Sequence, residues 1–382
     1  MVDILEIGLA FLIIAIGGYI AYYARQSVVP AFILVGMLFG PYGLKIISSS
    51  EIIIFIAEIG VIVLLLFLGL EFSLKRLLGA KKSLKIAGLL DLAINFTFGL
   101  ILGLLLNFTL LESLFLGGIV YMSSSGIVTK ALIDLKRIIY PETDIILAIM
   151  VFEDIFIAIF LAFISGIAIA GGEKFLVLIS IFKAVAFCLI FLLVAKKYNH
   201  IVDRIIDIRS DELFLIFLFG LVIVVSAIAQ RIGVSEAIGA FFLGLAFSET
   251  KHVERIEKKI VPLRDLFACM FFFAFGMMID ISTFVGIIGI AAVFIPAIVC
   301  SKIASGYFSA RVLRFEKKQA LFIGYGSIPR GEFSIILASL AIASGLNYSL
   351  YPLTVMIVLT TSILGILLMS KSDSIYQVIF SN

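Results

Sequence analysis

Tyr121-Met122-Ser123-Ser124-Ser125-Gly126 interrupts an apolar run that extends from residue 112 to residue 132. Three consecutive hydroxyls followed by a glycine weaken a helix, and the run around them is long enough to place that weakness at membrane depth. Backbone that unwinds there is tolerated only where protein buries it or where it lines a cavity, and its freed carbonyls can coordinate a cation. A second segment has the same character. Gly324-Tyr325-Gly326-Ser327-Ile328-Pro329-Arg330-Gly331-Glu332-Phe333 sits inside the run 318–345, where the proline removes a helix donor and clashes with the preceding turn. Arg330 and Glu332 can compensate the helix ends exposed at such a break. The competing readings are local: serines bonding back to their own helix, and a salt-bridged kink with no further role.

The rest of the chain supports the membrane setting. Of 382 residues, 63% are hydrophobic and 14% charged, and the mean hydropathy is +1.24, outside the composition of a water-soluble domain. Apolar runs at 4–24, 29–47, 51–72, 84–106, 112–132, 141–166, 173–195, 211–229, 233–248, 262–280, 284–308, 318–345 and 351–370 predict an all-α polytopic membrane protein of about thirteen transmembrane helices. No basic n-region or small-residue cleavage site flanks the first run, so 4–24 reads as a retained span. The chain ends soon after the last run, so regulation by a soluble domain is expected to need a separate cytoplasmic subunit.

Lysines and arginines collect in alternate loops, from Lys75, Arg76, Lys81 and Lys82 to Arg311, Arg314, Lys317 and Lys318, while Lys45, Lys174 and Arg231 are nearly the whole basic inventory of the others. The positive-inside rule therefore predicts a multi-pass protein of the cell membrane with its N-terminus outside and its C-terminus in the cytoplasm. The net charge of +3 says little about partners, because in a membrane protein the location of charges matters more than their sum; no nucleic-acid patch is visible, and no cofactor is expected. Cys188, Cys269 and Cys300 lie in apolar runs with no paired spacing, so they read as packing residues.

The broken spans are the fifth and the twelfth, the same place in two six-helix sets separated by span 7. Sets separated by one helix run in opposite directions, so the pattern predicts two inverted repeats with a broken helix in each. Span 6 carries Val151-Phe152-Glu153-Asp154-Ile155, two adjacent carboxylates in mid-run. Charges at that depth are costly and mark functional sites; neighbours about 100° apart on a helix can share one polar cavity while serving different partners. Lys302, in the middle of span 11, needs an acidic partner, and Glu153 is the expected one. A snorkelling lysine is the simpler alternative.

Taken together, the broken span 5, the Glu153-Asp154 pair, Lys302 and Pro329-Arg330-Gly331-Glu332-Phe333 resemble the monovalent cation:proton antiporter-2 family. Phe67-Leu68-Gly69-Leu70-Glu71, Gly239-Ala240-Phe241-Phe242-Leu243-Gly244-Leu245 and Phe275-Gly276-Met277-Met278-Ile279-Asp280 are similar to it too. The resemblance implies a homodimer in which residues 1–80 and 201–282 form the dimerisation domain, 81–170 and 283–382 a moving core domain, and 171–200 a linker helix. It also implies that Asp154 holds the ion, and that Glu153 takes a position occupied by aspartate in electrogenic sodium antiporters and by glutamine in potassium efflux systems.

The resulting expectation is a secondary antiporter, not an enzyme, exchanging a monovalent cation for protons by alternating access in the lipid bilayer. Sodium is favoured and potassium is the near alternative, held at Asp154. Glu153, Ser123, Ser124 and Ser125 complete the ion and proton site, and Lys302, Arg330 and Glu332 serve as auxiliary charges. A sodium-coupled organic-solute symporter is a more distant reading. An intramembrane serine hydrolase is disfavoured because His200 and His252 both fall in predicted loops.

Overall fold

The computed structural model describes the chain apart from residues 1–3, 25, 49–50, 72–81, 138, 170–181, 184–185, 188, 192, 195–196, 233–235, 281, 348 and 381–382. The span expected at 173–195, Lys174, Cys188 and Lys75 to Lys81 fall wholly or largely outside the described residues.

Sixteen helices are described and no strand is found among the described residues. They are α1 (Ile4–Tyr23), α2 (Val28–Phe39), α3 (Glu51–Glu71), α4 (Lys82–Leu105), α5 (Leu110–Tyr121), α6 (Ser125–Asp134), α7 (Pro141–Ile169) and α8 (Asn199–Ile205). The series continues with α9 (Asp211–Arg231), α10 (Glu236–Ser248), α11 (Val253–Met277), α12 (Thr283–Val312), α13 (Lys317–Gly326), α14 (Glu332–Ala343), α15 (Leu350–Ser370) and α16 (Ser372–Phe380). By length and composition, eight described segments can cross a membrane. Leu12, Ile16 and Ile20 of α1, Ile216 and Val224 of α9, and Ile288 and Val293 of α12 are all exposed, which suits a lipid-facing surface and not a watery one.

Both expected interruptions are present. Residues 122–124 separate α5 from α6, and residues 327–331 separate α13 from α14. Three differences from the apolar runs have local causes. The second run is helical only to Phe39, because Gly40-Pro41 ends it and residues 41–44 form turns. The tenth begins at Val253, a stretch too charged to register as a span; Ile256 and Ile260 bury one face of it while Arg255 reaches Asp211 Oδ1 at 2.7 Å. Helix α16 lies beyond the last apolar run and, at nine residues, is too short to register as a span.

The chain forms two compact units. One comprises Met1–Ile14, Leu38–Gly79 and Ala158–Met278; the other comprises Ala15–Met37, Ala80–Ile157 and Ile279–Asn382. Within the first, α3 packs against α10 through glycines. A Cβ on Gly69 would collide with the Phe241 carbonyl, and one on Gly244 with the Leu66 carbonyl, so the backbones touch only because both side chains are missing. Within the second, α4 packs on α5, and α12 on α4 and α13, with Gly306 set against Gly324 so closely that a Cβ would lie 2.6 Å from the Gly324 Cα. Both helix breaks belong to this second unit.

Candidate functional site

The two breaks run side by side and complete each other's hydrogen bonds. The Ser124 amide donates to the Pro329 carbonyl at 2.8 Å, and Ser334 Oγ to the Ile119 carbonyl at 2.9 Å. Four half-helices therefore end close together, and their exposed ends are sorted by charge. Arg330, fully buried, sits at the two C-terminal ends. Its Nε and Nη2 donate to the Val120 carbonyl of α5 at 2.9 and 2.6 Å, and its Nη1 to the Ser327 and Ile328 carbonyls just past α13 at 2.9 and 2.6 Å. A guanidinium there meets both the unpaired carbonyls and the negative ends of two helix dipoles.

Glu332 sits at the opposite ends. It is the first residue of α14, and its Oε2 accepts from Ser124 Oγ at 2.9 Å. Ser124 in turn caps α6, accepting from the Ile127 amide. One carboxylate thus lies at the positive N-termini of two half-helices. Gly331 is required between them, since a Cβ at that position would stand 2.5 Å from Ser124 Oγ. Ser125 opens α6 and is half-buried.

Beside the breaks lies a sealed ionic cluster. Lys302 of α12 is fully buried, and its Nζ reaches Glu153 Oε1 at 2.6 Å, the pairing expected from the sequence. The same ammonium reaches Asp91 Oδ2 of α4 at 2.8 Å and Ser123 Oγ at 3.2 Å, and lies 5.1 Å from the Tyr121 ring centroid. Glu153 is held from the other side by the break. The Ser123 amide donates to Oε2 at 2.7 Å, and Ser123 Oγ lies 2.9 Å from Oε1 and 3.0 Å from the Ser327 carbonyl. With one proton to give, that hydroxyl serves one of the two at a time.

Asp91 is fixed as firmly. Ser305 Oγ donates to its Oδ1 at 2.6 Å and Asn95 Nδ2 does so at 2.8 Å, while Ser301 Oγ donates to Asn95 Oδ1 at 2.8 Å. Sequence reasoning missed this half of the cluster. The signal was present: Asp91 and Asn95 lie four residues apart on one face of a span, and Ser301 and Ser305 stand one residue before and three after Lys302. Asp154 differs from its neighbours in exposure. It is half-buried, whereas Glu153, Asp91, Lys302 and Arg330 are buried.

Apolar outer helices, two adjoining helix breaks and a buried lysine with carboxylates beside them define a multi-pass membrane protein of the secondary-transporter class. A family model described as sodium/hydrogen exchanger, transmembrane, matches residues 9–370, and the chain belongs to that family. It is 40% identical to a protein of Bacillus subtilis named K(+)/H(+) antiporter subunit KhtU, over 98% of this chain and 95% of that one. It is 29% identical to the Na(+)/H(+)-K(+) antiporter GerN of Bacillus cereus over 94% of this chain and 93% of that one. The solved sodium proton antiporter MjNhaP1 of Methanocaldococcus jannaschii has the same fold, with a TM-score of 0.69 at 18% identity over 98% of this chain and 97% of that one.

Proposed function

We propose that this protein exchanges a monovalent cation for protons by alternating access, with Asp154 as the group that takes either. The observation carrying the assignment is the difference in exposure between two adjacent acids. Glu153 is committed to Lys302 and Ser123 inside protein, whereas Asp154, on the same turn of α7, is half-buried. An exchanging carboxylate has to be reached by water and ions. Ser123, Ser124 and Ser125 supply the hydroxyls and carbonyls of the ion shell, and cation binding competes with Lys302 for Glu153.

The pairing of Lys302 with an acid at 153 follows the sodium pattern. The name of the relative at 40% identity favours potassium, and another relative, 30% identical over 98% of this chain, is named an ammonium/H(+) antiporter subunit. Both of those names describe subunits, which supports a separate cytoplasmic regulatory partner. Residues 81–170 and 283–382 act as the moving core, and 1–80 and 201–282 as the dimerisation domain of a homodimer. The two breaks stand in corresponding places of two inverted repeats, and the C-terminus faces the cytoplasm.

The test is purified protein in liposomes with an imposed pH gradient and an internal pH dye, challenged with sodium, potassium, lithium and ammonium. Asp154→Asn is expected to abolish exchange of every cation. An Asp154→Asn protein exchanging at the wild-type rate would overturn the assignment.

A further inference from the structure

The proposed competition for Glu153 raises a question that the second carboxylate answers. Without a second acid, Lys302 would be left as a lone, fully buried ammonium when a cation draws Glu153 away, and an unpaired buried charge is among the costliest things a protein can hold. Asp91 is already at 2.8 Å on the other side of the same ammonium. It is itself held by Ser305 and Asn95, so it stays in place whatever Glu153 does.

We propose that Asp91 is a positioning residue for cation exchange: it anchors Lys302 independently of Glu153, so that the Lys302–Glu153 bridge opens at little cost and the cation competes successfully for the site. Asp91 acts through Lys302, whose ammonium reaches both acids. The proposal rests on the reading of Asp154 and Glu153 given above.

Two consequences of losing the Asp91 charge point the same way. Lys302 directs its whole charge at Glu153 and tightens that bridge, and the site as a whole becomes more positive by one unit and repels cations. For unit charges about 10 Å apart at an effective dielectric of about 20, the loss of one weakens binding of the other on the order of tenfold, which sets the scale of the effect.

The experiment measures cation KM and maximal exchange rate in liposomes for wild type, Asp91→Asn, Asp91→Ser and Asp91→Glu. Asp91→Asn keeps the shape and removes the charge. Asp91→Ser is smaller and keeps a hydroxyl for Ser305 and Asn95, so it serves should Asp91→Asn not fold. The expected result is a rise in KM of at least about tenfold in both neutral variants, with the maximal rate per folded protein within about threefold of wild type and KM largely restored in Asp91→Glu. An unchanged KM in a folded neutral variant overturns the proposal, as does a fall in rate alone, which is what mere packing would give. Wild type that exchanges no cation would instead overturn the antiport reading itself, a separate outcome seen before any variant is made.

Discussion

Arg330→Lys tests whether the guanidinium holds the two helix breaks together or serves the ion. Arginine spans two carbonyl clusters because its donors are spread over a planar fork. Val120 receives two bonds from one edge, and Ser327 and Ile328 receive one each from Nη1. An ammonium keeps the charge but presents its three donors from a single point, so it satisfies one helix end and abandons the other. At about 1.5–3 kcal/mol for each charge-assisted bond, losing two of the four costs about 3–6 kcal/mol. For a chain of 382 residues that corresponds to a fall in melting temperature of about 4–8 °C. The assay is size-exclusion chromatography after graded heating, paired with cation exchange in liposomes on the protein that remains folded. Cation KM is expected to stay within about twofold of wild type, because all of the guanidinium's hydrogen bonds go to backbone carbonyls. A variant as stable as wild type refutes the reasoning, and so does one whose KM moves while its melting temperature does not.

Three further expectations use the same physics at other places. Lys302→Ala leaves Asp91 and Glu153 as two buried acids without their common cation and should lower stability by about 3–5 kcal/mol, whereas Lys318→Ala, which breaks a half-exposed pair with Asp373, should cost no more than about 1 kcal/mol; thermal melts of the two variants compare them directly. Gly69→Ala drives a methyl into the Phe241 carbonyl and should cost about 1–3 kcal/mol or more, while Gly126→Ala has open space around it in α6 and should gain about 0.5–1 kcal/mol, so equal melting temperatures would contradict the packing described. Hydrogen bonding to Lys318, reinforced by Arg137, holds the Asp373 carboxyl below the ordinary aspartate value, so its contribution is complete above the ordinary aspartate range and is lost as pH falls through the depressed value; hydrogen exchange of residues 372–380 should quicken over that window and, in Asp373→Asn, already at neutral pH.

What the sequence made legible was what disturbs a hydrophobic pattern. A serine run, a Pro-Arg and a lone lysine are conspicuous against apolar neighbours, because each has a cost in hydrocarbon that demands a structural answer. That reasoning led from Lys302 to Glu153. Asp91 carries the same cost in the same environment, but one adequate partner for Lys302 leaves nothing in the sequence that demands a second. The end of α2 at Gly40-Pro41 and the start of α11 at Val253 were hidden for another reason. Hydropathy follows the solvent and not the hydrogen bonding, so an apolar turn reads as span and a charged helical turn reads as loop.

The length of Glu153 gives the cluster its sense. Its carboxylate accepts at once from the Ser123 amide and from Lys302, and stands at hydrogen-bonding distance from the Ser123 hydroxyl. Ser123 lies within the α5–α6 break, and Lys302 in the continuous helix α12. An aspartate, shorter by one methylene, would fall roughly 1.5 Å short of that arrangement and would have to give up the amide or the ammonium. Glu153 therefore ties the geometry of the broken helix to the charge of the lysine, and any event that withdraws it loosens both together. Because Asp91 keeps hold of Lys302 from the far side, that loosening frees the break without stranding a buried charge. A site built this way can change state at Ser123 while Lys302 stays paired with Asp91, so that α4 and α12 keep their ionic contact when Glu153 is withdrawn.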